Sequence, residues 1–111
     1  MNPSNLVRLE RGSTWKETTR NVAKLIKSIS KKGIQKEVEV FTQNGKTYII
    51  NGHHRVAAAQ RLGINVPIKQ LTWKQVQAYG YRNTYHLQML AQKAAQGGMK
   101  VDGRLLKALL Q

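Results

Sequence analysis

The sequence predicts a small α+β domain, in which a helix, a β-hairpin, a second helix and a short strand precede a helical tail. Three patterns lead to this prediction: an early apolar stripe at helical spacing, two alternating segments joined by Asn-Gly, and later segments that begin at helix-capping residues. With 111 residues the chain can build one modest core. We therefore expect a single domain over residues 1–111, with its core at about 14–71 and its helical tail at about 72–111.

The first long helix is predicted over residues 15–32, after a short strand at residues 5–9. Thr14 and Glu17 have the spacing of a capping box, and Gly33 is suited to the position that follows a helix. The apolar positions of this helix recur every three or four residues: Val22, Leu25, Ile26 and Ile29.

A β-hairpin is the most specific local pattern. Valines and glutamates alternate over residues 37–40, which is typical of a strand with one buried face. Asn44-Gly45 is the residue pair that type I′ turns prefer, so residues 47–50 should return as the partner strand. A second helix is predicted at about 53–62, ending at Gly63.

The rest of the chain reads as a short strand and three helices. Residues 64–71 form the predicted strand, and Pro67 suits an edge or a strand start because proline cannot donate to a ladder. Helix starts are predicted at Thr72 with Gln75, at Asn83 or Thr84, and at Asp102, and Gly97-Gly98 should end the second of these helices.

Charge is the strongest compositional signal. Lys and Arg outnumber Asp and Glu by 19 to 5, for a formal net charge of +14. Such an excess predicts a polyanionic partner: nucleic acid, a nucleotide or an acidic protein. Five lysines are expected to contact a nucleic-acid backbone, the alternative being a solvated face: Lys24, Lys27, Lys31, Lys32 and Lys36.

Several classes of protein are excluded by composition. The chain has no cysteine, which removes disulfides, thiolate zinc sites and thiol catalysis. No run approaches the roughly 18 apolar residues of a membrane span. A membrane surface is a weaker candidate partner because no long basic amphipathic helix stands out, so no membrane partner is expected. The first residues also lack the apolar centre of a signal peptide.

The predicted functional centre is the segment from Asn51 to Arg55, where a strand passes through Gly52 into a helix. Unpaired N–H groups and the helix dipole make such a helix start an anion site. Gly52 permits close approach, Arg55 can bind phosphate in bidentate fashion, and Asn51 and His53 complete the expected phosphate or nucleotide site. The alternative is a structural turn whose histidines act as cap donors.

Acid–base chemistry at this centre would come from His54 or His53, since imidazole titrates near neutral pH. Adjacent histidines do not share a helical face, which makes them a poor metal pair, and no metal ligand set is predicted. Glu37 and Glu39 lie on the polar face of the neighbouring strand. The favoured interpretation of the pair is an exposed strand face paired with lysines. The alternative is a general base or metal ligand, a role for which Glu37 is preferred over Glu39 because it stands at the start of the strand. The cofactor is left open between a divalent metal and a nucleotide.

Aromatic residues cluster between the later helices. Tyr79, Tyr81, Arg82, Tyr85 and His86 combine rings with positive charge, as in surfaces that stack on bases. Core packing of Tyr81 or Tyr85 is the favoured interpretation. His86 is interpreted as structural, with a second acid–base group as the alternative.

Five pieces together resemble the ParB/sulfiredoxin superfamily: residues 28–34, the hairpin, Gly52–Arg55 with Ala57–Ala59, Leu62-Gly63 and Val66–Ile68. The resemblance covers about residues 20–70. The Gly-His-His-Arg version, followed by VAAAQRLG, is most similar to the ParB-like nuclease domains that end bacterial polymorphic toxins.

The resemblance implies a sulfiredoxin-like fold, a phosphate site and a better-placed pair in His54 and Arg55. It further implies a nuclease toxin acting on nucleic acid, secreted as part of a larger bacterial protein, active in the cytoplasm of the target cell and blocked by an acidic immunity protein. The alternatives are a CTP- or ATP-binding module, a phosphotransfer module and a DNA-binding adaptor.

This chain departs from the family pattern at several positions, which limits the family activities that can be expected of it. Chromosome-partition members carry Gly-Glu-Arg-Arg where this chain has Gly52–Arg55, and a downstream helix-turn-helix domain for which too few residues follow here. Sulfiredoxins have a cysteine at the position of His53, so peroxiredoxin repair is excluded by chemistry. A proline common after the first helix is replaced by Glu37.

Overall fold

Four strands form one mixed sheet in the computed structural model, which describes residues 1–9, 15–96 and 101–111. The strands are β1 (Leu6–Val7), β2 (Val38–Gln43), β3 (Lys46–Asn51) and β4 (Ile68–Gln70), in the spatial order β1-β3-β2-β4. β2 and β3 are antiparallel, whereas β1 runs parallel to β3 and β4 runs parallel to β2. The helices are a 3₁₀ turn (Pro3–Asn5), α1 (Trp15–Lys32), α2 (His53–Leu62), α3 (Trp73–Ala78), α4 (Thr84–Ala95) and α5 (Gly103–Leu110).

Helices cover both faces of the sheet. Side chains alternate along β3, so Ile49 packs on one face while Tyr48 and Ile50 pack on the other. The Ile49 face carries α2 through Val56 and Ala59. The opposite face carries α3 and α4 through buried residues that include Val76 and Leu87. Both faces of the hairpin are therefore buried, which gives it a well-defined register.

A third layer packs outside α2. Val22 and Ile26 of α1 contact the same apolar cluster as Ala58 of α2 and Leu106 of α5. The stripe predicted for the first helix thus packs against another helix rather than against the sheet. The Asp102 N–H also donates to Thr19 Oγ1 at 2.9 Å, which ties the start of α5 to α1.

The predicted α+β fold class is confirmed, and most element boundaries agree with the expectations. α1 and α2 span the predicted residues, and the hairpin turn has positive φ at Asn44 (51°) and Gly45 (75°), as a type I′ turn requires. Caps form at Thr72 with Gln75, at Asn83 and at Asp102. Thr14, the first residue of the predicted capping box, and the Gly97-Gly98 break lie outside the described residues.

Two strands are shorter than predicted. The segment at residues 5–9 contributes only Leu6–Val7 to the sheet, and the segment at residues 64–71 contributes only Ile68–Gln70. The Val66 N–H donates to the Met1 carbonyl rather than to a neighbouring strand, and Pro67 has no N–H to donate. The ladder of β4 therefore begins after the proline, at the edge of the sheet.

None of the helices within the described ranges combines the length and apolarity that crossing a bilayer requires.

Candidate functional site

The centre of the site is the turn between β3 and α2. β3 ends at Asn51, α2 begins at His53, and Gly52 between them has φ 111° and ψ 24°. That left-handed conformation is accessible to glycine at little cost, which explains why this residue stands at the bend. The Val56 N–H donates to the Gly52 carbonyl at 3.0 Å and closes the first helical turn. In any α-helix the first N–H groups have no partner within the helix, and such a helix start favours an anion.

The guanidinium of Arg55 folds back over this bend. A Cβ atom at position 52 would lie 2.8 Å from Arg55 Nη2, so glycine is needed for this approach as well as for its φ angle. Nη2 donates to the carbonyl of Glu37 at 3.1 Å. Nε is buried and has no hydrogen-bond partner among the described residues. A charged donor is thus held beside the helix start with bonding capacity to spare.

The two histidines lie in different surroundings. His53 is only 6% exposed, and its Nε2 accepts a hydrogen bond from the Leu9 N–H at 3.1 Å. This contact joins α2 to the end of the N-terminal segment, 44 residues away in sequence. His54 is partly exposed, although its Nε2 atom is buried. A proton transfer by His54 would therefore use Nδ1 or follow a rotation of the side chain.

A cluster of polar side chains surrounds Glu39, which pairs with Asn51 just before the bend. The Tyr79 hydroxyl donates to Glu39 Oε1 at 2.6 Å, and Asn51 Nδ2 donates to the same oxygen at 3.2 Å. The Tyr79 hydrogen bond is the largest of the influences that hold the pKa of Glu39 below its ordinary value, against the opposing effect of burial. The bond from Asn51 and the positive charges of Lys69 and Arg55 lower that pKa further. Glu39 is therefore ionised at neutral pH.

Glu37, the acid favoured from the sequence, occupies a different place. It precedes β2, its side chain is exposed, and its carbonyl is the atom that Arg55 contacts. The acid that the structure brings beside the turn is Glu39. A register shift between Glu39 and Val40 pairs Glu39 with Asn51, the residue at the end of β3.

Two members of this cluster were not predicted as site residues. Lys69 lies opposite Glu39 where β4 pairs with β2, and Tyr79 follows α3. The only signal for Tyr79 was its position in the aromatic segment, and Lys69 gave none. In the same segment Tyr81 is buried, at 6% exposure, and Tyr85 is exposed, at 65%. The predicted core packing of Tyr81 or Tyr85 is therefore confirmed, with Tyr81 as the packed residue.

The predicted lysine set is exposed throughout. Lys36 adjoins the residue whose carbonyl contacts Arg55, and the others lie along or at the end of α1: Lys24, Lys27, Lys31 and Lys32. In residues 1–9, 15–96 and 101–111, no three His, Asp or Glu side chains are grouped as a metal site would need. The use of a divalent metal or a nucleotide stays a prediction.

Comparison with known proteins agrees with this architecture. Residues 10–84 match the family model described as the ParB N-terminal domain. The crystal structure of sulfiredoxin from Arabidopsis thaliana superposes with a TM-score of 0.51 at 22% sequence identity, covering 74% of this chain and 94% of that chain. At that identity the likeness concerns the fold alone. Among curated proteins no match is found. Since the family match spans more than half of its residues, the chain belongs to the ParB N-terminal domain family.

Proposed function

We propose that this domain binds the phosphate of a nucleic acid at the Asn51–Arg55 turn and hydrolyses a phosphodiester bond there. One observation carries the proposal: the Arg55 guanidinium lies against the Gly52 bend at the start of α2, with a buried Nε that has no hydrogen-bond partner in the described chain. A buried unpaired donor costs about 1–3 kcal/mol, and a phosphate oxygen would recover that energy through a charge-assisted bond.

The proposed chemistry assigns separate tasks to the residues around the bend. The N–H groups at the start of α2 and Arg55 hold the phosphate and stabilise the charge that develops on it. Water attacks phosphorus, a base takes one proton from that water, and an acid gives one proton to the departing oxygen. His54 and the ionised Glu39 are the proposed acid–base groups, because His53 is enclosed by the scaffold and Glu37 is directed to solvent.

The net charge of +14 supports a polymeric substrate over a small one. Incubating plasmid DNA and total RNA with wild-type, His54→Ala and Arg55→Ala protein tests the proposal, with Mg²⁺, Mn²⁺ or EDTA in parallel. We expect cleavage by the wild type and at least a roughly 100-fold loss in each variant. Intact substrate under every metal condition would overturn it.

The biological setting is part of the same proposal. As the resemblance to polymorphic-toxin domains suggests, we propose a toxin that is secreted within a larger bacterial protein, acts in the cytoplasm of a target cell and is blocked by an acidic immunity protein. Inducible expression in a bacterial host should stop growth with the wild type and leave growth normal with His54→Ala. Equal growth of the two strains, at equal protein levels, would contradict the toxin assignment.

The Glu39–Asn51–Tyr79 cluster favours a second candidate, a module that binds CTP or ATP with or without phosphotransfer. Carboxylate and amide groups beside a phosphate turn can bond the hydroxyls of a ribose. Titration calorimetry with CTP and ATP separates the two functions. Saturable binding that Arg55→Ala abolishes, with no cleavage of DNA or RNA, would favour the nucleotide module.

A further inference from the structure

We propose that the segment between α3 and α4 forms a surface on which single-stranded nucleic-acid bases stack. This inference rests on the proposed function, because it extends the phosphate site to a neighbouring surface that would hold the bases of the same strand.

Exposed apolar side chains concentrate around this segment. Of the six large hydrophobic residues exposed in the described chain, three lie in or beside it: Tyr79 (45%), Tyr85 (65%) and Met89 (43%). Single exposed apolar residues are ordinary on a protein surface, whereas a concentration of them in one place marks an interaction site. Tyr85 is the second residue of α4, so its backbone is held by the helix while its ring extends into solvent.

The cleft beside Tyr85 has the charge that a nucleic acid would need. Its lining contains one cation and no acid: Gly80, Arg82, Asn83, Tyr85, His86 and Met89. Arg82 is exposed and can contact a phosphate or stack on a base. The Nδ1 atom of His86 is buried and has no hydrogen-bond partner in the described residues, so a hydroxyl or amide that reached it would recover the cost of its desolvation.

One pair of neighbouring residues links the cleft to the side chains beside the phosphate turn. Tyr79 bonds Glu39 through its hydroxyl, and the next residue, Gly80, lines the cleft. Bases have apolar faces and a phosphate on each sugar, so an aromatic surface beside a phosphate turn fits a single strand better than a duplex, whose bases are already stacked.

Fluorescence anisotropy with labelled oligonucleotides of about 12 nucleotides tests the inference. Single strands of DNA and of RNA are compared with a duplex of the same length, in EDTA at one salt concentration. Tyr85→Ala should weaken single-strand binding at least about fivefold, since stacking contributes roughly 1–3 kcal/mol per base, and should leave duplex binding within about twofold. Tyr85→Trp, which keeps a ring, should retain wild-type affinity.

Two further variants make the outcomes separable. Leu110→Ala removes another exposed apolar side chain (37%) from α5, in the layer behind α2, and should bind as the wild type does. Arg55→Ala probes the phosphate turn: if it binds normally while Tyr85→Ala does not, the proposed phosphate site fails and the stacking surface stands. Unchanged single-strand binding by Tyr85→Ala, equal losses for single strand and duplex, or no single-strand binding by the wild type would each overturn the inference.

Discussion

The turn at Asn51–Arg55 and the segment at Tyr79–Met89 are built by different physical means. The turn is defined mainly by its backbone, a glycine with positive φ at the start of a helix. The Arg55 guanidinium lies against that glycine. The Tyr79–Met89 segment is defined by side chains that extend from a loop and from the first turns of α4. A backbone motif leaves a mark in local sequence, whereas a side-chain surface depends on which distant elements pack beside it. Variants that alter one region and spare the other test that division.

The largest expected effect is on the anchor of the turn. His53→Ala removes the acceptor of the Leu9 N–H and leaves a cavity, so the free energy of unfolding should fall by about 2–3 kcal/mol. His54→Ala, at a partly exposed position, should lower it by less than about 1 kcal/mol. Chemical denaturation measures both values. Equal losses in the two variants would show that the neighbouring histidines do not have separate roles.

Alanine variants of two glycines separate the stability cost of backbone strain from the loss of oligonucleotide binding. Gly52 and Gly63 both have positive φ, at 111° and 67°, so replacing either by alanine should cost about 1–2 kcal/mol. Only at position 52 would the new Cβ meet Arg55. Gly52→Ala should therefore weaken oligonucleotide binding about tenfold, by the loss of one charge-assisted contact, whereas Gly63→Ala should not. If both variants bind as the wild type does, the fit of Arg55 over the bend does not matter for binding.

Glu39 accepts hydrogen bonds from Asn51 of the turn and from Tyr79 of the segment, and Tyr79→Phe breaks the second of these bonds. Loss of the hydroxyl removes the largest influence on the pKa of Glu39, which should rise toward 4.5. Because the folded-state pKa lies below the unfolded one, the bond stabilises the protein above about pH 4.5, and that contribution disappears as the pH falls through the folded pKa.

Carboxyl titration followed by NMR measures the Tyr79→Phe shift, and the change in stability at pH 7 should be below about 1 kcal/mol. Tyr85→Phe is the control and should leave the titration of Glu39 unchanged. A Glu39 pKa that stays the same in Tyr79→Phe would mean that the hydroxyl bond is not maintained in solution.

The smallest expected effect concerns the lysines of α1. Replacing Lys24 and Lys27 by glutamine should reduce the slope of log affinity against log salt by up to about two, if both contact phosphates. Lys46→Gln, at the opposite end of β3 from Asn51, serves as the comparison and should change the slope less. An unaltered slope in the double variant would assign the exposed face of α1 to solvent.

Local sequence predicted the hairpin and the helices well because their determinants are close together in the chain. Asn44-Gly45 defines a two-residue turn, and Gly63, Thr72 and Asp102 mark helix ends through their own backbone or side-chain bonds. These features form without reference to distant residues, so a single sequence contains them.

The cluster around Glu39 was predicted less well, because a single register shift in the hairpin determines which residue Glu39 lies opposite. If the register continued unchanged from the two-residue turn, Glu39 would lie opposite Ile50. The shift between Glu39 and Val40 places Glu39 opposite Asn51 instead. Lys69 arrives through the parallel pairing of β4 with β2. Pairing of strands so far apart in sequence is decided by tertiary packing, which no local pattern records.

β1 carries a consequence for any attempt to trim this protein. Its two residues shield the outer side of β3, at Thr47 and Tyr48. A fragment that began at α1 would leave that row of backbone groups open, and open rows of this kind recruit strands from other copies. Self-association of such a truncated fragment would then reflect the missing shield, and assays of its activity would measure aggregates.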